Sequence, residues 1–249
     1  MRIVTWNLRN GDGRRAWPRL RNDLRPDIAF LQEADSAPEA DSVIWMKVPN
    51  ANWGSAVATS LGRLRPITIS GYEGWVVGGE IEGHADPVAV FSVHAPSSTK
   101  HAPRKAYPEE VVTIIGRIRQ AMRPDVPLVI GGDFNFTLGE RQPDESLQTS
   151  TADRRALSAI ASAGLVSCWT AAHPDQPLSQ TLRWSGDRSP EKATPYHCDG
   201  ILVPAAWSGL VSCAVHADEC FKVSDHNPVS ATVTFPTTPS PPPTPPTGW

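Results

Sequence analysis

No run of apolar residues in the 249-residue chain approaches the ~20 that a membrane-spanning helix requires, so a helical membrane protein is excluded. The opening MRIVTWNLRN places Asn and Arg among its first ten residues and lacks the apolar core of a signal peptide; it reads as a strand. Cysteine is scarce. The four present, Cys168, Cys198, Cys213 and Cys220, form no C-x-x-C pair, which argues against a zinc ribbon or a thioredoxin-like site. Without an export signal, reduced thiols and a cytoplasmic location are expected. Charge of one sign is also missing: 23 Lys+Arg against 26 Asp+Glu leaves a net −3, so no global basicity points to a polyanion. A local basic groove remains open on such a chain.

Proline and glycine are plentiful, 25 and 18 residues, so turns should be many and long helices few. Hydrophobic residues at 40% and charged residues at 20% fit a soluble globular protein. Strands are expected at Arg2–Trp6 and Ile28–Gln32. Between them, Arg14–Arg25 places Trp17, Leu20 and Leu24 at helical spacing, and Pro26 ends that segment. Residues 1–26 hold seven Arg against Asp12 and Asp23, a local +5, which suits a solvated helix face or a phosphate-binding surface.

From Val43 to Val93 short β-type runs (VIWMKV, GSAVATS, ITIS, GWVVGGEI, PVAVFSV) predict a meandering, largely antiparallel sheet. Helices are expected at Ala106–Met122 and Asp153–Ala163, with a strand at Leu128–Ile130 between them. Further strands are expected near Leu165–Trp169, Gln180–Trp184, Asp199–Val203, Leu210–His216 and Val229–Phe235. The last fourteen residues contain seven prolines and no charge, the composition of an extended tail. The expected organisation is one mixed α/β domain over residues 1–235, followed by a proline-rich tail over 236–249.

The chemistry-bearing residues stand where apolar runs stop. RIVTW ends on Asn7, IAFLQ on Glu33, PVAVFSV on His94, and PLVIGG on Asp133 with Asn135 two residues later. Asp199 precedes GILV, and Asp225–His226 precede NPVSATV. Each alone has an ordinary structural reading: a turn residue for Asn7, a cap for Glu33, a core histidine for His94, turn acids for Asp133, Asp199 and Asp225. Adjacent strands deliver their ends to one sheet edge, however, and a single polar pit explains all six positions together. Carboxylate and amide oxygens without cysteine are hard ligands suited to Mg²⁺ or Mn²⁺. Acids beside the two imidazoles would orient them and raise their pKa. The sum is a metal-assisted phosphoester hydrolase.

T-W-N-L-R, L-Q-E, S-V-H-A-P-S, G-G-D-F-N-F, C-D-G-I-L and S-D-H-N-P occur in the order of the endonuclease/exonuclease/phosphatase superfamily, which the chain resembles from Arg2 to about Phe235. The resemblance implies an α/β fold of the DNase I-like kind, a four-layer α/β/β/α sandwich with two packed, mostly antiparallel sheets. It also implies site roles. Glu33 resembles the main Mg²⁺ ligand, with Asn7 and Asp225 in the metal region. Asp133 would orient the attacking water beside Asn135, and His226 would contact the scissile phosphate, oriented by Asp199. His94 would be a second phosphate-facing donor, with Glu80 or Glu82 as its candidate carboxylate partner.

Arg9 resembles the DNase I position that reaches a nucleic-acid backbone, which makes an abasic-site specialist less favoured. In the inositol phosphatase-like element, His197 and Gly200 stand where Trp and Arg are usual, and no Arg follows Phe136. Nine tryptophans, Trp53, Trp75, Trp169, Trp184 and Trp207 among them, suit base stacking or core packing. Core is the reading for most. Trp184, between Arg183 and Arg188, is the substrate-side candidate, and Arg14, Arg15, Lys100, His101, Arg104 and Lys105 are candidates for a basic rim. The expectation is a monomeric nuclease acting on nucleic acid. A phosphatase or phosphodiesterase acting on a small-molecule or lipid phosphate, and a non-catalytic binding module, are the alternatives.

Overall fold

Side chains alternate between the two faces along the regular part of each strand, and the alternation assigns those residues to layers. The computed structural model describes residues 1–83, 87–96, 107–143, 145, 148–183, 196–217 and 224–235. The strands are β1 (Arg2–Gly11), β2 (Ile28–Ala34), β3 (Ser42–Lys47), β4 (Gly54–Thr59), β5 (Arg63–Pro66) and β6 (Val76–Glu82). They continue as β7 (Val88–His94), β8 (Leu128–Asp133), β9 (Leu165–Ser167), β10 (Asp199–Pro204), β11 (Val211–Val215) and β12 (Val229–Val233). They form two six-stranded sheets, in the orders β11-β12-β1-β2-β4-β3 and β5-β6-β7-β8-β10-β9. Each sheet has a central parallel pair, β1 with β2 and β7 with β8, among antiparallel neighbours.

Ile3, Ile28, Phe30, Val57, Val90, Val129, Ile201 and Val233 point between the sheets and form the inner core. Their strand neighbours point outward. Val4, Trp6 and Leu31 lie under α1 (Gly13–Arg19) and the π-helical turn Leu20–Leu24. Phe91, Leu128 and Ile130 lie under α2 (Tyr107–Ala121) and α3 (Thr151–Ser162), against Val111, Ile114, Ile118 and Ile160. The result is the expected four-layer α/β/β/α sandwich. Helix α3 starts two residues earlier than its pattern suggests because Ser150 caps it, with Asp153 completing a capping box.

Several local expectations are corrected. The runs from Val43 to Val93 do not form one meander: β3 and β4 join the first sheet and β5 to β7 the second. Ile67–Ser70 is loop, and the strand before it is β5. Trp169 lies not in a strand but in α4 (Cys168–Ala172), and Gln180–Arg183 carries only isolated bridges from Leu182 to Tyr196 and His226. The first helix widens into a π turn, closed by the Arg25 N–H on the Leu20 carbonyl, rather than running evenly to Arg25. Trp184, Arg188, Lys100, His101, Arg104, Lys105 and the tail lie outside the described residues.

Two contacts hold the sheets in register beneath one edge. Phe30 of β2 packs flat on Gly131 of β8, so closely that a Cβ there would lie 2.1 Å from Phe30 Cδ2. Beside it, Gln32 donates to Ser92 Oγ at 2.9 Å and Ser92 donates to the Leu31 carbonyl at 3.0 Å, a buried polar bridge from β2 to β7. Gly131→Ala is therefore expected to cost about 1–3 kcal/mol of stability by overpacking. Chemical denaturation checks this, and Phe30→Leu in the same chain should recover part of the loss; an unchanged denaturation midpoint for the single variant would contradict the packing.

Candidate active site

The inner-facing parity runs on past the apolar core and ends in polar residues. In β1 it passes from Ile3 through Thr5 to Asn7; in β7 from Val90 through Ser92 to His94; in β8 from Val129 through Gly131 to Asp133. In β10 it runs backwards from Val203 through Ile201 to Asp199. Register aligns three of these ends: His94 pairs with Asp133 and Asp133 with Asp199, in one row across the second sheet. From the first sheet, Asn7 pairs with Gln32, the residue before Glu33. Strict alternation would send Glu33 outward with Leu31. Instead Glu33 adopts a left-handed backbone (φ 51°) at a register shift between Leu31 and Ala34, and its carboxylate joins the inner row. Such strained positions concentrate at functional sites.

The side chains then close on one another across the two sheets. Asn7 Nδ2 donates to Asp133 Oδ2 at 2.9 Å and to Glu33 Oε1 at 3.2 Å. Asn7 Oδ1 accepts the Arg9 N–H at 2.9 Å, so the amide orients both carboxylates. The two imidazoles flank Asp133: Nε2 of His94 lies 3.8 Å and Nε2 of His226 4.0 Å from Oδ2. Asp199 meets His226 Nδ1 with both carboxylate oxygens, at 3.0 and 2.9 Å. Asn135, also left-handed (φ 54°), donates its backbone N–H to Asp133 Oδ1 and its amide to the Ala95 carbonyl. Asp225 pairs with Arg9 at 3.2 Å, and its buried Oδ1 has no hydrogen-bond partner among the described residues. Asn7, Arg9, Glu33, His94, Asp133, Asn135, Asp199, Asp225 and His226 thus gather in one pit; Trp184 lies outside the described residues.

Residues that sequence patterns did not single out brace it. Ser224 Oγ donates to the Asn7 carbonyl at 2.7 Å and accepts the His226 N–H at 3.1 Å. Trp6 Nε1 donates to the His226 carbonyl, and Thr181 Oγ1 accepts the N–H groups of Cys198 and Asp199. Ser224 stands inside S-D-H-N-P and was within reach of motif reading, whereas nothing in the sequence marks Thr181. Arg183, read as a substrate-side residue, donates to the Ser224 carbonyl and so supports the loop that carries Asp225 and His226.

The two histidines have opposite environments. Burial alone would lower the His226 pKa, but the charges of Asp199, Asp133 and Asp225 raise it to about 10. Burial dominates at His94 and lowers its pKa to about 4. Its expected carboxylate partner is corrected: Glu80 is held by Arg65 and Arg123, and Glu82 by Arg65. His94 is packed instead against Trp53 and Trp75, with ring centroids at 5.1 and 5.3 Å, and its buried Nδ1 has no partner among the described residues. The expectation that an acid raises both imidazoles therefore holds for His226 and fails for His94.

Burial raises the pKa of Glu33, and burial with the adjacent Asp199 charge raises that of Asp133. Four carboxylates (Glu33, Asp133, Asp199, Asp225) face two cations, Arg9 and protonated His226, a formal excess of two negative charges, and burial disfavours the anionic forms of Glu33 and Asp133. Hard oxygen donors, that excess and an Asp225 Oδ1 that has no hydrogen-bond donor among the described residues and lies 3.9 Å from His226 Nε2 fit a divalent cation. Cys198, Asp199 and His226 also have potential ligand atoms within 4.8 Å of one another. There His226 Nδ1 is already engaged by Asp199, and burial pushes the Cys198 thiol well up, so this trio reads as an acid–imidazole pair beside a neutral thiol.

His226 is expected to stay protonated at pH 8 while His94 stays neutral down to about pH 5, as read by imidazole NMR. Since the folded pKa of His226 is raised, its stabilisation is complete below an unfolded value of about 6.5. It fades as pH rises toward about 10. Asp199→Asn should bring the His226 titration down by several units; a wild-type His226 titrating near its ordinary value would refute the assignment.

The model of the Endonuclease/Exonuclease/phosphatase family matches residues 4–226. No curated protein sequence matches the chain. Among solved structures it is similar to a 3'-5' exonuclease, NExo, from Neisseria meningitidis (22% identity, TM-score 0.69, 94% of this chain and 100% of that one). It is also similar to NExo described as a 3' phosphatase bound to a product DNA hairpin, from Neisseria (21% identity, TM-score 0.70, 94% and 100% covered). An AP endonuclease from Archaeoglobus fulgidus is a third (18% identity, TM-score 0.68, 94% and 100% covered). At these identities the structural likeness speaks for the fold, DNase I-like in every case. The family match spans nearly the whole described sandwich and all six motif positions, and the chain belongs to the Endonuclease/Exonuclease/phosphatase family.

Proposed function

We propose that the protein is a divalent-metal-dependent phosphoesterase that hydrolyses phosphodiester bonds in nucleic acid. The observation that carries this reading is the convergence of both imidazole Nε2 atoms on Asp133 Oδ2 beside an anionic cluster with two excess negative charges. Glu33 and Asp225 would hold Mg²⁺, or Mn²⁺, with Asn7 fixing the Glu33 carboxylate. When bound, such an ion polarises a phosphoryl oxygen and offsets developing charge.

The chain's own residues supply the rest. Asp133, held by Asn7 and by the Asn135 N–H, accepts the proton of the attacking water. His226, kept protonated by Asp199, donates from Nε2 to a phosphoryl oxygen as charge builds there. His94 faces the same phosphate as a neutral hydrogen-bonding group. Its pKa, lowered by burial to about 4, keeps it the neutral imidazole at neutral pH. Arg9 at the pit, with the exposed Arg14 and Arg15 on the helix that follows β1, favours a polyanionic substrate. The relatives described as an exonuclease, a 3' phosphatase on a DNA hairpin and an AP endonuclease favour the same class. Removal of a 3' phosphate from DNA is the second reading, favoured by that NExo relative.

The test is hydrolysis of supercoiled plasmid and of 3'-phosphorylated oligonucleotides with Mg²⁺ or EDTA. Nicking or end processing that disappears with EDTA and in Glu33→Ala is expected, and Asp133→Asn should lose at least about 10²-fold in kcat. Full activity in EDTA, or in either variant, would overturn the proposal. Hydrolysis confined to bis-p-nitrophenyl phosphate would move the substrate to the small-molecule class.

A further inference from the structure

We propose that Trp53 and Trp75 form a stacking platform for the nucleobase that flanks the scissile phosphate on the His94 side. The proposal rests on the nucleic-acid reading above and names how that substrate is gripped. Each sheet contributes one ring: Trp53 immediately precedes β4 of the first sheet, and Trp75 immediately precedes β6 of the second. They meet edge-to-face with centroids 5.0 Å apart, and both lie against the His94 ring. His94 Nε2 in turn is 3.7 Å from Glu33 and 3.8 Å from Asp133. The aromatic pair is therefore one ring removed from the carboxylates.

Both tryptophans stay partly exposed, whereas Trp6 is fully buried under α1 and Trp17, on α1, is buried against Ala29 and Ala58. Trp75 also packs against the core, and the exposed part of each ring beside His94 is the surface left for a base. The loops that carry them are locked together. Gly74, at φ +76°, lets the backbone before Trp75 pass so close to Lys47 and Val48 that a Cβ would lie 2.3 Å from Val48 N. Val48 N donates to the Trp53 carbonyl at 2.9 Å, and His94 N donates to the Trp75 carbonyl at 2.8 Å. A preorganised aromatic face costs little ordering on binding. Every base has a π face, so the platform grips a base without selecting among the four.

The experiment compares kcat/KM for two single-stranded oligonucleotides that differ only in a base-free tetrahydrofuran residue beside the cleaved bond, placed on either side in turn. Wild-type protein is expected to favour the base-bearing strand. Trp53→Ala and Trp75→Ala should lose about tenfold more on that strand than on the base-free one, about 1.4 kcal/mol. Trp53→Phe should restore most of the difference. Equal losses on both strands would mean that the rings only brace His94, and would overturn the platform. So would a wild-type protein indifferent to the missing base, a result that needs no variant to fold. If wild-type protein cleaves neither strand nor supercoiled plasmid yet hydrolyses bis-p-nitrophenyl phosphate, the nucleic-acid reading itself has failed; plasmid nicking without cleavage of either strand would overturn the platform.

Discussion

One amide joins the two halves of this active site. Asn7 belongs to the first sheet, and its Nδ2 donates to Glu33 of that sheet and to Asp133 of the second. Buried carboxylates this close repel one another and lose hydration, so they need a fixed donor between them. Asn7 provides it, and its own orientation is set by the Arg9 N–H. The alignment reaches down into the sandwich. Phe30 on Gly131 and Gln32 on Ser92 hold β2 against β8 and β7, so a slip between the sheets would separate Glu33 and Asn7 from Asp133 and His94.

The same pit holds two imidazoles in opposite states, and the reason is local. His226 has Asp199 directly on Nδ1, and those charges outweigh burial. His94 has tryptophan faces, an unpartnered Nδ1 and more distant acids, so burial wins. A cation and a neutral donor thus stand on either side of Asp133. In the proposed mechanism this pairing would separate two tasks that neighbouring histidines of equal pKa would share: offsetting phosphoryl charge, and gripping the substrate without adding charge.

Electrostatics outside the pit follow the sequence more directly. The exposed arginines of α1 and the following turn carry the only strong cluster of one sign among the described residues near the N-terminus, on a chain whose net charge is −3. On the proposed reading, this patch would attract a polyanionic substrate and raise its local concentration. The carboxylates would repel that same polyanion, which is a physical reason for a divalent cation to sit between them.

How much of this was legible in the residues follows from what each feature depends on. Where the apolar runs RIVTW, VAVFSV and LVIGG stop is a property of consecutive residues. It revealed the strands and the polar ends Asn7, His94 and Asp133 before any contact was known. Motif order carried the family. Division of the Val43–Val93 strands between two sheets was not legible, because pairing partners are chosen across the chain and not along it. Nor was the partner of His94: Glu80 sits on the neighbouring strand, yet Arg65 and Arg123 claim it, while Trp53 and Trp75 arrive from two separate loops. The sequence alone determined which side chains stand at the strand ends, since the stop of an apolar run needs only local order. Tertiary structure decided their charge states and company, because those depend on burial and on neighbours brought from distant positions.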